Sequence, residues 1–146
     1  MSAAVIRERP LAEVKAEIAR RAGHWNPLDG IRAEDAAQAS NALTSLDRDE
    51  WAREWSKFGA QYEAEADALV QRSGNSDNDK QCQALYELAF NYYRIARYPC
   101  AGSPGQEKAY RDSLRAFRKA AHYFTPDMEI VEVPFGNRKL IGYLQI

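Results

Sequence analysis

The chain of 146 residues has almost no surplus charge, few cysteines, few histidines and no long apolar run, and each shortage removes a class of function. Lys and Arg number 20 against 21 Asp and Glu, a net charge of -1, so no field is available to gather phosphate backbone or an anionic lipid surface. Neither nucleic acid nor a membrane is expected as a partner. The apolar runs span only a few residues, whereas a bilayer-crossing helix needs roughly 20. The segment from Met1 to Glu8 lacks the basic-then-apolar layout of a signal peptide, which points to a soluble cytoplasmic protein.

Cys82 and Cys100 are too far apart for a C-x-x-C pair and too few for a disulfide framework, so both are expected to be reduced. Cys82 falls in the first turn of a predicted helix and is read as a small core filler rather than a reactive thiol. His24 and His122 are the only imidazoles, and their wide separation argues against a shared metal. The chain contains no G-x-S-x-G elbow, H-E-x-x-H pair, P-loop or G-x-G-x-x-G, and its carboxylates are scattered among caps and polar faces. No catalytic residue, metal site or cofactor is expected within it.

What the chain does have is helical periodicity. Pro10 opens a first helix with Leu11, Val14, Ile18 and Ala22 on one face, and Gly23 ends it. The turn-rich segment from His24 to Gly30 carries an indole and an imidazole, an unusual load for a plain connector. A weaker helix is predicted from Ala33 to Leu46. Asp47 and Glu50 then resemble a capping box for a long third helix with Trp51, Trp55, Phe58, Tyr62, Ala66, Leu69 and Val70 as its apolar stripe. Residues Arg72 to Asp79 read as an exposed loop ending in an Asp cap.

A fourth helix is predicted from Lys80 to Tyr98, with an apolar arc too broad for contact with a single neighbour. Ser103, Pro104 and Gln106 supply a cap, a first-turn proline and a capping-box side chain for a fifth helix reaching Phe124. Its expected buried stripe is Tyr110, Leu114, Phe117, Ala121 and Phe124, and Arg111, Arg115, Arg118 and Lys119 are read as a solvated face. The chain then changes period. Glu129 to Phe135 and Arg138 to Ile146 alternate as strands around a Gly136-Asn137 turn, with Val131, Val133, Phe135, Leu140, Leu144 and Ile146 on one face and Ile130, Ile141 and Tyr143 on the other. Two strands alone are marginal in water, and strands apolar on both faces call for a larger sheet.

The fold class is therefore mainly α: an antiparallel helical region over residues 1–127, then a C-terminal β-hairpin over residues 128–146. The third and fourth helices are crowded with aromatics, and two accounts of them stand open. Trp55, Tyr86, Tyr92, Tyr93, Arg97 and Tyr98 are either part of an aromatic core or the wall of a partly open pocket for an aromatic or carbonyl-bearing ligand. In either case buried phenols need partners, which water, backbone or substrate would supply.

From Trp51 onward the layout resembles the N-terminal part of the FrsA-like branch of α/β-hydrolases. The matching pieces are Trp55 to Gly59, Ala84 to Pro99, Lys108 to Phe117, Ile130 to Gly136 and Leu140 to Leu144, in that order and at that spacing. The resemblance implies that the helices form a lid over the mouth of a hydrolase and that the hairpin opens its sheet. It also implies that the nucleophile, acid and His lie beyond Ile146, so no catalytic role transfers to a numbered residue here. The implied partner is an α/β-hydrolase catalytic domain, in the same polypeptide or an associated chain. Its implied reaction is cofactor-free cleavage of an ester or of a carbon–carbon bond next to a ketone, on a small aromatic or polyketide-like substrate.

Two readings of other classes compete. The fourth and fifth helices could form a tetratricopeptide-like interaction module, although no second copy with a period near 34 residues is found. Alternatively, a regulatory protein could dock its hairpin on another sheet by strand addition, and a homodimer is left open.

Overall fold

A computed structural model describes residues 9–72 and 76–145. Among the described residues five helices come first, α1 (Leu11–Arg21), α2 (Ala33–Ala42), α3 (Arg48–Val70), α4 (Ser76–Ala96) and α5 (Pro104–Ala121). An antiparallel hairpin of β1 (Met128–Phe135) and β2 (Arg138–Gln145) follows. The fold is thus mainly helical with a two-stranded C-terminal ribbon, as the change of period indicates.

The helix boundaries follow from local chemistry. Asp47 Oδ1 accepts from the backbone N–H groups of Asp49 and Glu50 at 3.0 and 2.9 Å, which starts α3. Glu50 does not complete the expected reciprocal box. It turns back instead to accept from the Thr44 N–H at 2.5 Å and from the Thr44 and Ser45 hydroxyls at 2.9 and 2.5 Å. These bonds hold the Glu50 carboxyl down at about 2, with the Ser45 hydroxyl the largest cause. They also explain why α2 stops at Ala42 rather than Leu46: Thr44 and Ser45 serve the next helix, and Leu43 has already left helical geometry.

The fourth helix begins at Ser76, a turn before the expected Lys80, with Asp77 and Asp79 in its first turn against the positive end of the dipole. Residues 76–79 of the expected loop are therefore helical, and residues 73–75 lie outside the described ones. The helix stops at Ala96, leaving Tyr98 in the following turn. Ser103 Oγ accepts from Gln106 N–H at 3.3 Å and Pro104 occupies the first turn of α5, as its sequence indicates. Gln106 again departs from the box, accepting from Gly102 N–H at 3.1 Å and donating to the Tyr98 carbonyl at 2.8 Å. It ties the start of α5 to the end of α4. The last helix ends at Ala121, short of Phe124.

α3, α4 and α5 form an antiparallel set in which α4 touches both neighbours, as its broad apolar arc requires, while α1 and α2 pack across one side. The core is aromatic. Trp55 stacks near Tyr92 with centroids 6.5 Å apart, Phe58 and Tyr62 lie 5.5 and 5.6 Å from the same ring, and Trp51 sits 5.5 Å from Trp55.

The buried face of α5 differs from expectation. Gln106, Ala109, Asp112, Ser113, Ala116 and Ala120 face the bundle, whereas Tyr110 is exposed and Leu114, Phe117, Ala121 and Phe124 are only half-buried. Small side chains let α5 approach its neighbours closely, which the larger ones on the adjacent stripe would prevent. That larger stripe runs instead toward the hairpin, where Phe117 meets Tyr143 edge-on at 5.4 Å.

Candidate functional site

The hairpin is the most unusual surface of this molecule. Its register pairs Phe135 with Arg138 across the Gly136–Asn137 turn, and Gly136 adopts the positive φ of +59° that a primed turn needs. Val131, Val133, Phe135, Leu140 and Leu144 share one face, and Ile130, Ile141 and Tyr143 share the other, as alternation dictates. Ile146, expected on the first of these faces, lies outside the described residues.

Neither face is fully covered, although Val131 on one and Tyr143 on the other are half-buried. Phe135 is 67% exposed, Ile130 55% and Leu140 53%, with Val133, Ile141 and Leu144 close behind. Contact with the helices comes mainly through Tyr143, which packs on Phe117 and accepts from Arg118 Nε at 3.3 Å, while Gln145 Nε2 donates to the Pro126 carbonyl at 2.8 Å. Exposed apolar side chains on both sides of a ribbon are costly in water and mark an interaction surface.

The two edges of the ribbon are not equivalent. With Phe135 and Arg138 flanking a two-residue turn, the inward-bonded positions of β1 are the odd-numbered ones, so Pro134 falls on its outward edge. That edge lacks one N–H donor. The outward positions of β2, at Lys139, Ile141, Tyr143 and Gln145, contain no proline. β2 offers the more complete edge for a third strand.

The aromatic residues singled out in the sequence do not come together as one pocket wall. Trp55, Tyr86, Tyr92 and Tyr93 are buried, and Arg97 lies over the ring of Tyr110 at 5.6 Å. Only Tyr98, 53% exposed, presents most of its side chain to the surface. Tyr93 forms part of the floor of a shallow groove between α3 and α5, and Tyr98 borders a separate pocket beside α1.

The buried phenols are satisfied by carboxylates, partners that inspection of helical stripes does not reveal. Tyr62 and Tyr92 both donate to Asp35 Oδ2, at 2.5 and 2.6 Å, and Tyr92 accepts from Arg32 N–H at 3.1 Å. Tyr93 donates to Glu63 Oε2 at 3.0 Å, and Tyr86 to Asp67 Oδ1 at 2.6 Å. Burial, reinforced by the neighbouring carboxylate, pushes the Tyr62 hydroxyl up to about 12 and raises those of Tyr86, Tyr92 and Tyr93 as well.

Two of the cations expected in a solvated face are structural. Arg115 donates to Glu63 through Nε and Nη2 at 2.8 and 2.7 Å and through Nη1 to Asp112 at 2.5 Å, while Lys119 reaches Glu63 at 3.0 Å and Asp67 at 2.7 Å. Burial acts most strongly on Glu63 and pushes its carboxyl up, but Arg115 and Lys119 together overcome it and hold the group at about 2. Arg111 and Arg118 remain exposed, and Arg118 reaches the hairpin at Tyr143. Cys82 is buried with Sγ directed at the Ala66 carbonyl, in keeping with a filler, and Cys100 is exposed.

Among the described residues no group of three or more His, Cys, Asp and Glu side chains could hold a metal ion, and no helix is long and apolar enough to cross a membrane. No protein-family model matches the chain, and a comparison with curated proteins found no relative.

Proposed function

We propose that this chain is a cap segment of an α/β-hydrolase of the FrsA-like type, in which the helices shape and dry the mouth of the active site and the hairpin begins the catalytic sheet. The observation that carries the reading is the ribbon itself, apolar and exposed on both faces and tethered to the helices mainly at Tyr143. A hydrolase sheet, covered on both sides, would bury both faces at once. The proline-free outer edge of β2 would receive its next strand, and the half-exposed stripe of Leu114, Phe117 and Phe124 would continue the same interface.

In this reading the catalytic domain belongs to the same polypeptide or to an associated cytoplasmic chain, and it carries the Ser, acid and His. The complete enzyme cleaves an ester or a ketone-adjacent carbon–carbon bond in a small aromatic or polyketide-like substrate without metal or organic cofactor. Of the aromatic-wall residues, Arg97 and Tyr98 keep surface available for substrate contact, while Trp55, Tyr86, Tyr92 and Tyr93 hold the cap rigid. Helix lengths of 23, 21 and 18 residues for α3, α4 and α5 lend little support to a repeated interaction module.

The test is to purify the native protein with anything that accompanies it and treat it with a fluorophosphonate probe. The expected result is a single labelled serine outside residues 1–146, with loss of activity toward a short p-nitrophenyl ester. Absence of a labelled serine in the protein and in every co-purifying chain would overturn the reading. A stable non-hydrolase partner seated on β2 would then favour regulation by strand addition.

A further inference from the structure

A pocket of about 140 Å³ lies where α1, the loop after it, the start of α3 and the end of α4 meet. Val14, Ile18, Leu28, Trp51, Ile95 and Tyr98 supply apolar wall, and Arg9, Glu17 and Arg21 supply its charged boundary. None of these residues belongs to the hairpin or to α5. We infer that this pocket binds a small aromatic carboxylate, with the ring against Trp51 and the aliphatic side chains and the carboxylate on Arg21.

Size sets the ring. An apolar cavity of about 150 Å³ is enough to hold benzene, so this volume takes one six-membered ring and little more. Trp51 turns no donor into the space, because its Nε1–H is already given to the Ile95 carbonyl at 2.8 Å. Its indole therefore acts as an apolar wall.

Charge sets the head group. On α1 and just before it, among the described residues, the guanidiniums of Arg9, Arg20 and Arg21 pair with the carboxylates of Glu13 and Glu17. Arg20 takes both oxygens of Glu17, at 2.7 and 3.1 Å, and Arg9 pairs with Glu13 at 3.6 Å. Arg21 is left 3.6 Å from Glu17, outside hydrogen-bond range. It is anchored instead by an Nη2 donation to the Asn26 carbonyl, and its Nε–H is buried with no acceptor. A guanidinium has five donors in a fixed fork, and Arg21, held by backbone through Nη2 and only at ion-pair distance from Glu17 through Nη1, keeps terminal donors for an incoming carboxylate.

Tyr98 brings exposed aromatic surface to the wall. Tyr98 is largely exposed on one side, and Trp25, 61% exposed, sits on the loop that contributes Pro27 and Leu28 to the wall. That loop is fixed rather than loose: Gly23 N–H donates to the Leu28 carbonyl at 2.7 Å and Leu28 N–H to the Trp25 carbonyl at 2.8 Å. The turn formers between His24 and Gly30 thereby acquire a purpose that a connector lacks, since they set Pro27 and Leu28 into the wall.

The experiment is a titration of the full chain with sodium benzoate and, separately, with neutral benzamide, followed by amide and indole NMR. Benzoate should give saturable shifts at the Trp51 indole N–H and the Leu28 amide, with affinity at least about fivefold above that of benzamide. Arg21→Gln should erase that difference, and Val14→Phe, which fills the pocket with a ring of its own, should abolish both titrations without lowering the melting temperature. Equal affinity for the two ligands, shifts that never saturate, or undiminished binding to Val14→Phe would each overturn the inference. The outcome can be told apart from that of the cap reading: the two share Tyr98, but neither the hairpin nor a labelled serine enters the titration.

Discussion

Tyr62 on α3 and Tyr92 on α4 donate their phenolic hydrogens to one and the same oxygen, Asp35 Oδ2 on α2, at 2.5 and 2.6 Å. Their rings stack 5.6 Å apart, and the Arg32 guanidinium lies 5.0 Å above the Tyr62 ring. A single carboxylate therefore staples α2 to both long helices. Replacing it with an apolar side chain leaves two buried phenols without an acceptor, each at a cost of about 1–3 kcal/mol. Asp35→Leu should thus lose about 3 kcal/mol in urea unfolding, and Asp35→Asn, which keeps an acceptor oxygen but not the charge, about half that. Equal losses for the two variants would show that the shared acceptor is not what matters.

The same arrangement fixes the alkaline behaviour. Tyr62, Tyr86, Tyr92 and Tyr93 all have hydroxyls raised by burial and by a nearby carboxylate, Tyr62 to about 12. In the unfolded chain these groups ionise near the ordinary tyrosine value of about 10. Their folded values lie above their unfolded ones, so the stability they contribute is whole below about pH 10 and drains away as pH rises through about 12 and beyond. Of the eight tyrosines, these four should stay protonated until the helices melt, so that late tyrosinate absorbance and loss of helical circular dichroism coincide. Early ionisation of all eight with the helices intact would contradict the burial argument.

At the acid end the sign reverses. Glu63 is depressed to about 2 by Arg115 and Lys119 in spite of the opposing effect of burial. Its folded value lies below its unfolded one, so its contribution is present above the ordinary carboxylate range and is lost as pH falls from about 4.5 toward 2. The melting temperature should drop across that window. In Glu63→Gln the starting stability should be lower and the drop shallower, with Glu50 responsible for part of what remains because it titrates in the same range. An unchanged acid slope in Glu63→Gln would remove the α3–α5 clamp from the account.

Much of this architecture is legible in sequence because it is local. The spacing of Trp51, Trp55, Phe58 and Tyr62 marks the face of α3, Asp47 and Ser103 mark helix starts, and Gly136-Asn137 marks the turn. The partners of the tyrosines are another matter, since Asp35 lies 57 residues from Tyr92 and Glu63 lies 30 from Tyr93. No helical period connects them, and a carboxylate beside an apolar stripe reads as a solvated group until tertiary packing brings a phenol to it. The α5 face was misleading for a related reason. Tyr110, Leu114, Phe117 and Phe124 form the more apolar stripe, yet Ala109, Ala116 and Ala120 form the tighter one, and close helix approach rewards small side chains over large.

Gly59 illustrates how tight that approach is between α3 and α4. A Cβ placed there would lie 2.8 Å from both Cδ1 and Cε1 of the Tyr93 ring. The ring cannot retreat, because it is buried and its hydroxyl is held by Glu63. Alanine would favour the helix by about 1 kcal/mol on propensity alone, but overpacking of this kind costs about 1–3 kcal/mol. Gly59→Ala should therefore fail to stabilise the protein and should shift the Tyr93 ring resonances. A gain approaching the full propensity value would mean that the two helices have room to separate.

The hairpin predicts a separation between stability and surface behaviour. Phe135 and Ile141 lie on opposite faces of the ribbon and are largely exposed, so replacing them removes little buried area. Phe135→Ser and Ile141→Thr should each change the unfolding free energy by less than about 0.5 kcal/mol, the ordinary range for surface substitutions. Together they should nevertheless reduce binding of a hydrophobic dye and self-association, because they break the apolar patch on both sides. Tyr143→Ala should behave differently, since it removes the edge-on contact with Phe117 and the acceptor for Arg118 Nε. Loss of that tether should free the ribbon from α5 while α3 and α4 keep their melting behaviour, detectable as faster amide exchange confined to β1 and β2. If Phe135→Ser or Ile141→Thr instead melts the helical core, the ribbon is an integral part of the bundle and does not await a larger sheet.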